Sequence, residues 1–242
     1  MNIPDNITPA IDGDIIVYRS GFACKDDEPV ENALHNVKMA MNLILDKFHA
    51  SPGYKLYLTG KGNYRFAAAT IKPYKGNRKP EDKPKYYDDI RRYLIEVWKA
   101  EVIEGREADD ALGCLQWAHK DKSTCIVTID KDLNMIPGWH YNYVKDLFYY
   151  VTIDEANLWF FKQMLIGDTT DNIQGVPKLG PKTADKLLDP HVGDTQALMD
   201  AVKEEYRKYY KDTAEAAFSE MATLLWMCRE EDQAGNCPFT FN

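Results

Sequence analysis

The sequence predicts an α/β fold, a mainly parallel central sheet flanked by helices, with a small helical module at its C-terminal end. Three observations predict it. Short apolar runs ending in glycine or aspartate alternate with longer segments whose apolar residues recur at helical spacing. Such alternation stacks successive strands into one sheet covered by helices. From Glu155 onward the pattern becomes largely helical.

In chain order, "PAIDGDIIVY" reads as a short buried strand containing Ile15, Ile16 and Val17. Residues two apart on a strand share a face, so Asp12 and Asp14 are expected to converge. "ENALHNVKMAMNLILDKF" places Val37, Met41, Ile44, Leu45 and Phe48 at helical spacing. "YKLYLTG" is a strand closed by a glycine. "GREADDALG" opens a helix with Ala108, Ala111, Leu112, Leu115 and Ala118 along one face, and "TCIVTID" is a strand running to Asp130. "HYNYVKDLFYYVTID" has a period nearer two and a polar break at Lys145–Asp146, which makes two short strands. "EANLWFFKQMLIGD", "PKTADKLL", "DTQALMDAVKEEYRKYY" and "EAAFSEMATLLWMCR" are helical. The expected division is an α/β domain over 1–167, including a basic cover at about 61–93, and a helical module over 168–242.

A length of 242 residues with 45% hydrophobic and 28% charged content supports a packed core rather than disorder. No apolar run approaches the roughly 18 residues of a membrane span. The N-terminal stretch has no basic region followed by an apolar one, so no secretory signal is expected. The five cysteines form no CxxC pair, suggesting neither a disulfide frame nor a zinc site, and a reducing cytoplasm is the simplest compartment. Net charge is −8, yet Lys55 to Arg92 holds 11 Lys and Arg against 4 Asp and Glu. A basic stretch beside an acidic remainder suits a polyanion held near a metal site, and an ordinary solvated face accounts for it equally well.

Acidic residues gather at element ends: Asp12, then Glu107, Asp109 and Asp110, then Asp130 and Asp132, then Asp168 and Asp171. Ligands of open parallel sheets collect at the carboxyl ends of the strands. All-oxygen ligation by carboxylates suits Mg²⁺ or Mn²⁺, and a pair of such ions serves phosphoryl chemistry. Each motif also has a structural reading, as a helix-dipole cap for "EADD" and as turns for "DGD" and "DKD". Their joint occurrence favours the metal reading. "GVPKLGPKTADKLL" reads as two short helices joined by a glycine hairpin, where Gly180 and the following helix start offer backbone N–H groups and Lys178, Lys182 and Lys186 offer charge to a phosphate backbone. A Gly/Pro-rich connector with solvated lysines is the alternative.

Taken in order, "IDGD", "YRFAAATIKPYKGNRKP", "EADDALG", "VTIDKDL" and "GDTTDNIQGVPKLGPKTADKLL", spanning Ala10 to Leu188, resemble the 5′-nuclease superfamily. The resemblance implies a PIN-like domain with a helix-hairpin-helix module. It assigns Asp12, Glu107, Asp109 and Asp110 to a first metal ion and Asp130, Asp132, Asp168 and Asp171 to a second, with Asp12, Asp109 and Asp130 at the reaction centre. Arg65, Lys75 and Arg78 match the foot of the family's arch, with Lys75 at the scissile phosphate. Lys178, Gly180, Lys182 and Thr183 match the hairpin that holds duplex DNA, often with K⁺. The implied activity is metal-dependent hydrolysis of phosphodiesters near DNA 5′ ends or flaps, RNA primers included, by a monomer in the cytoplasm (the host's, if phage-encoded).

Two departures stand out. Thr59 and Gly60 occupy the strand end where the family usually has an aspartate, so Asp14 or water is expected to stand in, and Lys178 occupies a usual glycine. The last fifty residues carry no motif. Tyr64, Tyr74, Tyr86 and Tyr87 are candidates for stacking on bases or for ordinary packing. Two rival readings remain. One is a haloacid-dehalogenase-type phosphatase with Asp12 as nucleophile and Asp14 as acid. The other is a non-catalytic DNA-binding relative.

Overall fold

The computed structural model describes residues 6–119, 123–232, 235–239 and 241, with Pro80 described by its backbone only. The first five residues, part of the stretch read as lacking a secretory signal, lie outside these. Strand β1 (Thr8–Asp12) leads into α1 (Gly13–Phe22), followed by α2 (Val30–Lys47) and β2 (Lys55–Thr59). The basic segment then carries a short α3 (Arg65–Ala68) and α4 (Tyr87–Glu96). Next come β3 (Glu101–Ile103), α5 (Ala108–Ala118) and β4 (Thr124–Val127). The hairpin β5 (Gly138–Asn142) and β6 (Leu147–Val151) precedes α6 (Ile153–Ile166). A small ladder of β7 (Gly167–Asp168) and β8 (Ile173–Gln174) leads to α7 (Pro181–Leu188), α8 (Thr195–Tyr210) and α9 (Ala214–Leu225).

The main sheet has the order β3-β2-β1-β4-β5-β6, parallel except for β6. Strand order reverses at β1, which lies between β2 and β4; this makes a crevice at the carboxyl ends of β1 and β4. Both faces are covered. Along the strands Ala10, Tyr57 and Ile126 face one apolar cluster, while Ile11, Leu56, Leu58, Cys125 and Val127 face the other. Period-two alternation thus feeds two cores, and both sets are apolar because helices lie on each side.

Two expectations change. Ile15, Ile16 and Val17 lie in α1, not in a strand. The Asp12 carboxylate accepts the Ile15 N–H at 3.1 Å and caps the helix, which an aspartate before a glycine does well. The basic segment is not wholly a cover: Ile90 and Leu94, one helical turn apart, are buried against α1 and α2 as part of the core. The chain after Asp168 is helical as expected, and one apolar cluster runs across the 167/168 division, from Ala10 and Leu112 through Phe160 to Leu198 and Met221.

Cys228 and Cys237 pair as a disulfide, with Cα atoms 5.1 Å apart, where sequence spacing suggested none. Among the described residues no helix is long and apolar enough to cross a membrane.

Candidate active site

The crevice at the switch point gathers acidic groups from four segments. Asp12 ends β1, 3% exposed, and its second oxygen accepts the Thr128 hydroxyl at 2.8 Å. That same Thr128 oxygen accepts the Asp130 N–H at 3.0 Å, so one threonine aligns the ends of neighbouring strands. Asp130 opens a 3-10 turn (Lys131–Met135) and accepts the Asp132 N–H at 2.8 Å. Glu107 and Asp109 stand at the first turn of α5.

Asp12, Asp14, Glu107, Asp109 and Asp130 line one basin of about 790 Å³. Glu107, Asp109 and Asp130 also line an adjoining chamber of about 160 Å³, with Asp132, Asp168 and Asp171. The structure therefore brings together seven of the eight predicted metal residues. Among the described residues no three acidic, imidazole or thiol groups stand close enough together to hold a metal ion as placed; the carboxylates line the walls.

Crowding shows in the protonation equilibria. Burial, reinforced by Asp14, pushes the Asp12 carboxyl up to about 7. Burial followed by Asp12 and Asp130 drives Asp109 well above its ordinary range. Asp132 rises to about 7 through burial and then Asp130 and Asp168. Like charges in a low-dielectric crevice favour a compensating cation. The donor set is all oxygen, which fits Mg²⁺ or Mn²⁺ and excludes the sulfur-rich sets of structural zinc.

The eighth residue, Asp110, is a correction. It is fully buried and grips Arg65 in a bidentate pair, 2.7 and 2.9 Å, while accepting the Glu107 and Cys228 N–H groups. Burial alone would raise its carboxyl, but Arg65 outweighs it and holds the group below its usual range. Asp110 thus organises the first turn of α5 from behind instead of facing the basin. Arg65 is corrected with it. At 2% exposure, its remaining donors go to the Leu224 and Trp226 carbonyls, so it presents nothing to DNA.

Lys75 and Arg78 do reach the basin. Lys75 pairs with Glu107 and lies 3.6 Å from Asp171; Arg78 pairs with Asp171. Burial would lower the Lys75 ammonium, but Glu107 and Asp171 more than compensate and keep it raised. Tyr74 is 4% exposed, and its hydroxyl lies 2.8 Å from Asp171 and 3.0 Å from Glu107, so it is no base-stacking surface. The strap 73–78 is stitched to the loop 169–172 by Lys75 N–H to Asp171 O, Asn77 to Thr169 O and Asn172 to Pro73 O, each 2.8–2.9 Å. This part of the cover is held in place.

The strand-end departure also resolves. The Thr59 hydroxyl accepts the Ala108 N–H at 2.9 Å and so caps α5 from β2. A side chain on Gly60 would meet the Glu104 carboxyl at 2.7 Å. Asp14 lines the basin, but its oxygens are engaged by the Thr59 N–H at 3.0 Å and by Arg91 at 3.2 Å. Thr128, Arg91 and Gln163, which donates to Asp132 at 2.6 Å, were not singled out from sequence. Only Thr128, inside "VTID", sits in a motif that could have flagged it.

The hairpin residues Lys178, Gly180, Lys182 and Thr183 are all exposed around the start of α7. Lys178 has φ 71°, the left-handed region that favours glycine. Lys178→Gly is therefore expected to be neutral or stabilising by up to ~1 kcal/mol, and Lys178→Val destabilising by about 1–2 kcal/mol. Urea denaturation of the two variants checks this; equal stability of both would show that the backbone there is unstrained.

No family model matches the chain. It is 29% identical over 197 residues to a 5′-3′ exonuclease of Buchnera aphidicola, covering 74% of this chain and 68% of that one. It is 25% identical over 240 residues to DNA polymerase I of Caldicellulosiruptor bescii, covering 88% of this chain but 28% of the polymerase. The chain thus spans about a quarter of its polymerase relatives. It shares its fold with a T5 5′-exonuclease bound to divalent metal ions (zinc), TM-score 0.59 at 14% identity, covering 90% and 99% of the two chains. It also shares it with the catalytic core of Rad2 in complex with DNA substrate, TM-score 0.53 at 17% identity, covering 89% and 74%. In sequence the chain is thus similar to 5′-3′ exonucleases, and in fold to solved 5′-nucleases, in agreement with the superfamily that its ordered acidic motifs resemble.

Proposed function

We propose that the chain is a metal-dependent 5′→3′ exonuclease and structure-specific flap endonuclease, hydrolysing phosphodiesters near DNA 5′ ends and leaving 5′-phosphates. One observation carries this reading: acidic groups from four remote segments line a basin and its adjoining chamber, and Lys75 and Arg78 stand in the walls of both.

Asp12, Glu107, Asp109 and Asp130 would hold one divalent ion, and Asp130, Asp132, Asp168 and Asp171 a second. Two such ions supply Lewis-acid activation of water and neutralisation of charge at the phosphate. The protein's own groups do the rest. Thr128 fixes Asp12 relative to Asp130, and the Thr59 hydroxyl fixes the start of α5. Lys75 stays protonated, so its role is electrostatic, and an entering phosphate competes with Glu107 and Asp171 for it and for Arg78. The exposed hairpin around Lys178, Gly180, Lys182 and Thr183 grips duplex backbone without reading sequence, with K⁺ as an additional ligand there. RNA–DNA hybrids as substrates and a monomeric state belong to the same reading. The phosphatase alternative is not favoured: the relatives include 5′-3′ exonucleases, and the fold is shared with a 5′-exonuclease.

The test offers a 5′-labelled flap, a blunt duplex and an RNA–DNA hybrid with Mg²⁺ and with Mn²⁺, and reads product lengths. Short 5′-labelled products are expected. Retained DNA binding with no cleavage under either ion would instead identify a non-catalytic relative. Lys75→Ala and Arg78→Ala are expected to weaken DNA binding roughly tenfold each at low salt, with a smaller effect at high salt. Filter binding across a salt series checks this, and unchanged affinity and rate would remove both residues from the substrate path.

A further inference from the structure

The last fifty residues carry no motif, yet within them Leu224–Arg229 is bonded to Arg65, to Asp110 on α5 and to Met135. We propose that this segment is an internal brace setting the separation between the two carboxylate-bearing elements of the site, and that Arg229 is the positioning residue for the Asp130–Asp132 side. The proposal rests on the metal-binding reading given above.

On one side the brace holds α5 and the foot of the strap. Arg65 donates to Leu224 O at 3.0 Å and to Trp226 O at 2.6 Å, and the Cys228 N–H donates to Asp110 at 3.0 Å. Asp110 adjoins Asp109. A Cβ on Gly113 would collide with the Cys228 carbonyl, so the α5 backbone presses directly on the segment. On the other side, Arg229 donates through Nε and one terminal nitrogen to Met135 O, at 3.2 and 2.8 Å. Met135 ends the 3-10 turn that Asp130 opens and that carries Asp132. The Arg229 guanidinium lies 4.7 Å from the Trp226 ring and 5.6 Å from that of Trp117 on α5. Between these anchors, Leu224, Leu225 and Met227 line the smaller chamber beside Asp132 and Asp168.

Asp109 and Asp130 raise one another's energy, and repulsion between their elements tends to open the crevice. Arg229 is fully buried, and burial pulls its pKa down to about 9. Burying a guanidinium is costly, and here it ties the turn to α5 at the end remote from β4. Groups behind metal ligands typically change metal affinity tenfold to a hundredfold when lost.

The test compares Arg229→Met and Arg229→Lys with a core control, Leu198→Ala on α8, in the full chain. Binding of Mn²⁺ alone is followed by electron paramagnetic resonance, and cleavage is measured across a Mg²⁺ series. Arg229→Met is expected to weaken Mn²⁺ binding about tenfold or more and to raise the half-saturating Mg²⁺ by a similar factor, with kcat recovered at saturation. Arg229→Lys keeps a donor and is expected to lie between, and it decides the matter if Arg229→Met fails to fold. Leu198→Ala is expected to lower the melting temperature without moving Mn²⁺ affinity. A melting-temperature loss with wild-type Mn²⁺ affinity in both Arg229 variants would overturn the brace as a positioning device, as would no Mn²⁺ binding by wild type. Wild-type Mn²⁺ binding without cleavage would overturn the nuclease reading alone.

Discussion

Asp109→Asn is expected to lower cleavage on the order of a thousandfold while raising the melting temperature measured in chelator. Asp109 lines both chambers, so losing its charge weakens both proposed ion sites. A lost ligand of this kind removes several kcal/mol of transition-state stabilisation. Without metal the same charge is a liability, because burial and then Asp12, Asp130, Glu107 and Asp14 all oppose its ionisation. Neutralising it relieves that repulsion by on the order of 1 kcal/mol, as often happens when a functional group is removed from a strained site.

The pH dependence follows with its sign. The folded value of Asp12, about 7, lies above its ordinary 3.8. Between those values the folded chain holds a proton that the unfolded chain has released. Metal-free stability therefore falls as pH rises from about 4 to about 7, and Asp109 and Asp132 shift the same way. The groups facing Asp12 are Asp14, Asp109 and Asp130, which reinforce the effect, and the Ile15 N–H and Thr128 hydroxyl, which moderate it. Asp110 works oppositely, but its folded value is below 3.8 and its contribution is lost only in stronger acid. In chelator the melting temperature is expected to climb as pH drops from 7.5 to 5.5. Saturating Mg²⁺ should raise it and flatten the slope, and Asp109→Asn should reduce the slope. Scanning calorimetry decides; a wild-type melting temperature that rises with pH in chelator would contradict the crowded basin.

Arg65→Met is expected to cost about 3–5 kcal/mol of folding stability, because it strands the buried Asp110 carboxylate and two carbonyls. For a chain of this size that is roughly 10 °C in melting temperature. Arg65→Met with Asp110→Leu should recover part of the loss, since two apolar groups do not leave a naked charge. Recovery should stay incomplete: the Leu224 and Trp226 carbonyls and the Glu107 and Cys228 N–H groups lose these partners in the double variant too. A double-mutant cycle in urea measures the coupling. Additive effects of the two changes would show that the pair is not the closed unit described.

Much was legible from residue order. Period-two and helical patterns located β2, α2, α5, β5, β6 and the four helical segments from Glu155 onward, because burial on one face imposes those periods wherever the chain sits. The acidic residues were legible as a group because they fall at element ends, where parallel sheets expose their carboxyl edges. The helix and strand at α4 and β3 were hidden by charge, since Ile90 and Leu94 alone mark the buried stripe. Ile15–Val17 misled because three branched apolar residues favour a strand, while Asp12 capping at Gly13 starts a helix.

Sequence alone determined the chemistry available: an all-oxygen acidic set, a basic strap with Lys75 and Arg78, and a lysine-bearing hairpin. Only the tertiary structure decided which carboxylates share the basin. Asp109 and Asp110 are identical neighbours, but each helical step turns about 100°, so one faces the crevice and the other faces the core. Which one does depends on Arg65 and on Cys228, 45 and 118 positions away from Asp110. A local pattern carries no record of such partners, because a buried charge is stabilised by whatever the fold brings to it.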